Sequence, residues 1–238
     1  MRILVILFSL LIVREARAVE YSPEAYLNEG MKFEKRAQYF QAARYYFQSL
    51  QRAKSENQKA QANAYISNAL IAQGLPQSAS YFFLKAVASG DDRVIRLALT
   101  GTRSLVNSVG VSIFKKYALK YTREDQYPKD QRDYYLYFMA QQGVEESRPN
   151  DVIRVVNDTS EDFVSFPAAL FLRGTAHLMV GNVEFGVNDF KTCARIASQS
   201  KYRGNQTSQE IRELKNRCIA GVARGYYQGR NYTEAEAW

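Results

Sequence analysis

Residues Pro23 to Leu50 carry the pattern that most constrains this chain. Tyr26, Gly30 and Phe33 recur at helical spacing along one face, Lys35-Arg36-Ala37 interrupts them, and Tyr39, Ala42, Tyr46 and Ser49 line one face of a second helix. The residue order is bulky, Gly, aromatic, turn, Tyr, Ala, aromatic, small. A two-helix unit this short cannot bury its own apolar stripe, so the pattern requires further units of the same kind stacked along the chain.

Such units follow. Ile66 and Leu70 share a helix face, Gln73-Gly74-Leu75-Pro76 makes a turn, and Ala79, Phe83 and Ala86 repeat Ala42, Tyr46 and Ser49 37 residues later. Pro76 stands where a first helical turn tolerates proline. A fifth unit repeats the opening one closely. There Leu170, Gly174 and His177 match Tyr26, Gly30 and Phe33, Gly181-Asn182 turns the chain, and Gly186, Phe190 and Cys193 match Ala42, Tyr46 and Ser49. A last unit has Ile219, Val222, Ala223 and Tyr226 on its first helix, Gly229-Arg230-Asn231 as its turn, and Tyr232 and Ala235 opening its second.

Between these lie two weaker units. In the third, Val94, Leu97, Ala98, Gly101 and Leu105 are expected to form one helix face, with Gly110 near the turn. Ile113, Phe114, Tyr117 and Ala118 lie on a second helix that Pro128 should close. In the fourth, Tyr134, Tyr135, Tyr137 and Phe138 suit a helix sandwiched between neighbours, or an aromatic binding ledge, with Gly143 and Pro149-Asn150 marking the turn. Residues 198–210 are polar and aperiodic and read as an extended inserted loop.

This order of aromatic, small and turn residues resembles the tetratricopeptide repeat, a family of helical hairpins with a period of about 34 residues. The resemblance implies an all-α fold, a right-handed α-solenoid of about six hairpins over residues 19–238, the last one incomplete. Composition agrees with the all-helical part: five prolines and thirteen glycines in 238 residues are too few for a turn-dense β fold.

The first eighteen residues are different. Arg2, an apolar run from Ile3 to Val13, and Ala16-Arg17-Ala18 follow the order of a secretory signal peptide, with cleavage expected after Ala18. The run is too short to span a bilayer as a helix, so no integral membrane span is expected once it is removed. An exported protein, periplasmic or secreted, is the expectation. Arg2, Arg14, Arg17 and Glu15 together carry +2 of the formal +8, which leaves +6 on residues 19–238. That excess is spread out, and no basic block or nucleic-acid-binding module accompanies it. It fits a solvated surface or attraction to an anionic envelope component, such as a cell-wall polymer or lipid headgroups.

Few residues suit chemistry. With one histidine and two cysteines there is neither a zinc-ligand motif nor a catalytic constellation, and no cofactor is implied. His177 stands at a helix-packing position. Glu146-Ser147 matches the pair used by lytic transglycosylases, but Arg148-Pro149 breaks the helix at once and the surrounding motifs of that family are missing. The resemblance instead implies a protein-binding scaffold whose first helices line a concave groove for a partner peptide or helix. Carried onto this sequence, that groove would present Leu27, Met31, Glu34 and Lys35; Ala64, Asn68 and Ile71; Phe171, Thr175 and Leu178; and Ala220, Arg224 and Tyr227. In such a stack Cys193 and Cys218 fall on adjacent helices, where they form either a disulfide or two buried thiols. The final helix is short, so the last hairpin reads as part of a longer array or as an edge for self-association.

Overall fold

The computed structural model describes residues 21–109, 111–204 and 206–238. The expected signal segment and its cleavage point at Ala18 lie outside the described residues. The described residues form thirteen α-helices and three short 3-10 turns, with no strand among them. No helix among them is long and apolar enough to cross a membrane.

The first hairpin shows how sequence becomes structure. Helix α1 (Pro23–Glu34) starts with Ser22, whose hydroxyl accepts from the Ala25 N–H at 3.2 Å, and with Pro23 in the first turn. Helix α2 (Tyr39–Arg52) returns along it, burying Ala42, Tyr46 and Ser49. The Tyr46 ring lies against Gly30, where any side-chain carbon would overlap it. The Tyr46 hydroxyl donates to Glu34, and Ser49 Oγ donates to the Pro23 carbonyl at 2.8 Å. Gly30, Tyr46 and Ser49 of the sequence pattern therefore each have a contact that depends on their size.

The turn is equally specific. Ala37 adopts φ 57°, and the Gln38 N–H bonds back to the Phe33 carbonyl at 3.0 Å. The same closure recurs with Gly74 and Leu75 N–H to Leu70 O, Ser147 and Arg148 N–H to Gly143 O, Gly181 and Asn182 N–H to His177 O, and Arg230 and Asn231 N–H to Tyr226 O. Each is a helix C-terminus capped by one left-handed residue. These five turns join α1 to α2, α3 (Glu56–Ala72) to α4 (Pro76–Val87), α8 (Arg132–Glu145) to α9 (Pro149–Asn157), α10 (Phe166–Met179) to α11 (Val183–Ile196), and α12 (Ser208–Gln228) to α13 (Tyr232–Ala237).

Each hairpin packs on the next, α2 on α3, α9 on α10 and α11 on α12, while first helices also meet: α1 with α3, α8 with α10, α10 with α12. Helix α3 is buried on more than one side. Ala62 and Ile66 join the N-terminal core with Leu27, Ala42 and Tyr46, and Ala60 and Ala64 join the central core with Phe83 and Ala86. Alanine permits close approach on both faces.

The third unit departs from the single first helix expected. It is broken into α5 (Asp92–Leu99) and α6 (Thr102–Val109), followed by α7 (Val111–Tyr121). The break is held by side chains from elsewhere. Asn68 Nδ2 donates to the Leu97 carbonyl at 3.1 Å and Gln131 Nε2 to the Thr100 carbonyl at 2.8 Å, taking up acceptors that the interrupted helix leaves free. Nor does Pro128 end α7. The helix stops at Tyr121, where the Thr122 hydroxyl donates to the Ala118 carbonyl, and two 3-10 turns follow at Glu124–Gln126 and Lys129–Gln131. Gln126, Arg96 and Arg123 all bond Asp92 there, and hold its carboxyl down to about 2, the Gln126 hydrogen bond contributing most.

Three further expectations change. Tyr134, Tyr137 and Phe138 are buried core, with Tyr134 and Tyr137 edge-on to Phe163, so the aromatic-ledge alternative is overturned. Gly143 lies inside α8, and the turn is Glu146-Ser147-Arg148. The inserted loop is not extended throughout: a 3-10 turn at Ser200–Tyr202 buries Tyr202, which stacks on Phe166 and donates to the Glu161 carbonyl at 2.9 Å.

Gly30→Ala forces the Tyr46 ring aside and is expected to cost about 2 kcal/mol. Ala37→Gly relieves a left-handed residue and is expected to gain up to about 1 kcal/mol. Thermal denaturation followed by circular dichroism checks both. Equal transition temperatures for the two variants would sink this account of the hairpin.

Candidate functional site

Five of the sequence-derived groove residues converge. Phe171, Thr175 and Leu178 on α10 face Ala220 and Arg224 on α12 across a cavity of about 420 Å³, completed by Met179, Arg217, Gly221 and Gln228, with Phe190 of α11 between. The volume lies within the range of ligand clefts, about 300–1,000 Å³. The spacing of Phe171, Thr175 and Leu178, and of Arg217, Gly221, Arg224 and Gln228, keeps each set on one helix face.

Phe190 forms the floor because two glycines make room for it. A Cβ at Gly174 would sit 2.9 Å from its ring and one at Gly221 2.7 Å. The ring thus wedges between α10 and α12, while Phe171 packs on it at 5.6 Å between centroids. Around this apolar floor the polar groups are sparse. Thr175 Oγ1 donates to the Phe171 carbonyl at 2.9 Å, so its proton is used within the helix. Gln228 Nε2 donates to the Leu178 carbonyl at 2.9 Å and ties the two walls together at one end. Arg217 pairs with Glu213 one turn earlier, whereas Arg224 has no ion pair among the described residues. The site is an apolar cleft with a cationic rim.

Covalent and ionic ties position the walls. Cys193 on α11 and Cys218 on α12 are joined as a disulfide, Cα to Cα 6.0 Å, next in sequence to Arg217. Arg173 grips Asp189 with two bonds, Nε to Oδ2 at 2.8 Å and Nη2 to Oδ1 at 2.7 Å, locking α10 on α11, and its third nitrogen reaches Asn157 Oδ1 at 2.7 Å. This planar pairing was not legible in the sequence, since nothing in residue spacing marks a contact between helices.

The other groove candidates do not join the cleft. Leu27 is 4% exposed and belongs to the core against Ala42 and Tyr46, with Met31 packed beside it. Glu34 accepts from Tyr46, and Lys35 is the exposed C-cap of α1. Asn68 is spent on α5, and Ile71 lies where Gly101 leaves room for it. Ala64 is buried, and Tyr227 projects into solvent at 67% exposure, edge-on to Tyr232. First helices of the N-terminal units pack too closely for their inner residues to line an open channel. Conversely, Met179, Phe190, Arg217, Gly221 and Gln228 were missed, although Gly221 in the middle of a 21-residue helix marks close approach in retrospect.

Neither chemical candidate is arranged for catalysis. Glu146 is exposed, and hydrogen bonds from Gln142 and Arg148 hold its carboxyl below the usual range, opposite to the raised value a glycosidic acid needs. His177 is half-buried and stacks on Phe185 at 5.4 Å. Burial depresses its pKa, with Asp189 opposing and Arg173 reinforcing the shift. Among the described residues no group of three His, Cys, Asp or Glu side chains is placed to hold a metal.

No protein-family model matches the chain, and no curated protein matches it in sequence.

Two outcomes test this geometry. With Cys193 and Cys218 bridged, maleimide under denaturing conditions labels neither thiol until a reductant is added, and reduction lowers stability by about 3 kcal/mol for a loop of this length. Labelling without reductant would refute the bridge. Because the folded pKa of His177 is lowered, its contribution is full above the unfolded pKa of about 6.5 and is lost as pH falls through that value towards the folded one. Thermal stability should therefore decline below about pH 6.5, and His177→Phe should remove that component. An unchanged decline in the variant assigns it elsewhere.

Proposed function

We propose that this chain is a tetratricopeptide-like α-solenoid, exported to the bacterial cell envelope, that works as a non-catalytic scaffold holding a partner protein in the cleft between α10 and α12. The observation that carries the reading is the convergence of Phe171, Thr175, Leu178, Ala220 and Arg224, residues from the first helices of two hairpins, on one preorganised apolar cleft. Five hairpins closed by the same left-handed turn support the repeat architecture. Export rests on the N-terminal sequence pattern, and the disulfide accords with an oxidising compartment.

The cleft's chemistry describes its occupant. An apolar floor takes one or two apolar side chains, and Arg224 and Arg217 at the rim favour a carboxylate on the same segment. The fitting partner is a peptide or helix with apolar residues beside Asp or Glu. A bivalent carboxylate clamp built of repeated Lys and Asn is not present in the lining.

Ala220→Trp should fill the cleft, and Arg224→Glu should reverse its free cation. Affinity capture from envelope extracts, quantified by mass spectrometry, should show one or a few proteins retained by the wild type and reduced at least about tenfold by either variant. A capture profile identical for all three proteins, each with unaltered helicity, would remove the cleft from partner binding.

A further inference from the structure

The first three second-position helices share a property that the cleft does not use. Helix α2 reads YFQAARYYFQSLQR, α4 PQSASYFFLKAV and α7 VSIFKKYALKY, and none contains an Asp or Glu. The later ones differ: α9 carries Asp151, α11 carries Glu184 and Asp189, and α13 carries Glu234 and Glu236. Carboxylates of the early units lie on first helices and turns, as with Glu24, Glu34, Glu56 and Asp92.

The outward stripes of these helices are made of rings and cations. On α2, Phe40, Arg44 and Phe47 are exposed at spacings of four and three, hence on one face, and Phe40 is 64% exposed. On α4, Tyr81 is 60% exposed and lies under the Lys85 ammonium, 5.7 Å from the ring centroid. The stripes are continuous, because Phe47 meets Phe82 edge-on at 5.3 Å and Phe82 meets Tyr81 at 5.2 Å. Helix α7, which packs on α4, exposes Lys116, Tyr117 and Lys120 in the same manner. Arg44, Lys85, Lys116 and Lys120 have no ion pair among the described residues, while Glu56, which shares a depression with Tyr81 and Lys85, is paired to Lys59 at 2.7 Å.

Core packing does not require exposed rings, and a merely soluble surface would intersperse both signs of charge. Aromatic rings alternating with Lys and Arg, without carboxylates, are the composition that sits at a bilayer interface, rings at headgroup level and cations on anionic phosphates. We propose that the face formed by α2 and α4, extended by α7, docks peripherally on an anionic phospholipid surface. Charge complementarity and the unmated rings together favour a bilayer over an acidic protein; the two depressions that border the stripe carry Gln41, Arg44 and Gln48 in one and Glu56, Asn57, Lys59 and Asn63 in the other, polar side chains where a partner's apolar anchor would need an apolar floor. This inference is independent of the cleft.

Flotation of the full chain with vesicles tests it, using phosphatidylcholine alone and phosphatidylcholine mixed with phosphatidylglycerol. Binding is expected only to the mixed vesicles and should fall at least about tenfold between about 0.05 and 0.5 M salt. Arg44→Glu with Lys85→Glu should reduce it at least about tenfold, and Phe40→Ser with Phe47→Ser should reduce it without altering the salt dependence. The reference is Arg212→Glu with Lys215→Glu on α12, which changes net charge equally and should leave binding within about twofold. The proposal is overturned by no binding, by equal binding to both vesicle types, or by equal loss in the α12 variant, provided all proteins keep wild-type helicity.

Discussion

An aromatic ring seated where a side chain is missing is the contact on which the rest of this structure depends. Tyr46 lies over Gly30 in the first hairpin, and Phe190 is held between Gly174 and Gly221 near the last. Helices of such hairpins would otherwise be kept apart by their own Cβ atoms, and the missing methyl lets the ring reach the neighbouring backbone. Once the ring is seated, the crossing of the two helices is set, and with it the direction in which the following helix must leave. The left-handed turn residue is the local complement: Ala37, Gly74, Ser147, Gly181 and Arg230 reverse the chain in the same way, with the same backbone bond. Glycine relieves the strain in two of the five, and in the other three an exposed alanine, serine or arginine adopts it, held by the same backbone bond.

That division explains what could be read from the sequence. Hairpins whose instructions are local, such as Pro23 to Leu50 or Leu170 to Cys193, are legible because ring, small residue and turn fall at fixed spacing within one unit. The third unit is not, because its break at Thr100-Gly101 is held by Asn68 and Gln131, one unit earlier and one later. Tyr202 was hidden for the same reason. Its polar surroundings suggest a solvated loop, and only the fold brings Phe166 and the Glu161 carbonyl to it. In the cleft, the α10 wall and part of the α12 wall could be placed by the repeat register read from the sequence, but that register failed at Leu27 and Asn68. A first-helix residue lines a channel only where successive hairpins diverge, and divergence is a property of packing that no single unit encodes.

Helix α12 has to stand opposite α10 although eleven residues, 197–207, separate it from α11. A connection of that length leaves the position of the following helix weakly specified. Three contacts remove the freedom. The Cys193–Cys218 bridge joins α12 to α11 near its middle, Gly221 accepts the Phe190 ring, and Gln228 bonds the Leu178 carbonyl at the far end. Tyr202 shortens the free part of the loop by anchoring it to Phe166. A cleft whose two walls are fixed before any partner arrives loses little conformational freedom on binding, so more of its contact energy is available as affinity. The long side chains at its mouth, Arg217, Arg224 and Met179, can meet an occupant by rotation about their own bonds, without a shift of the helices that carry them.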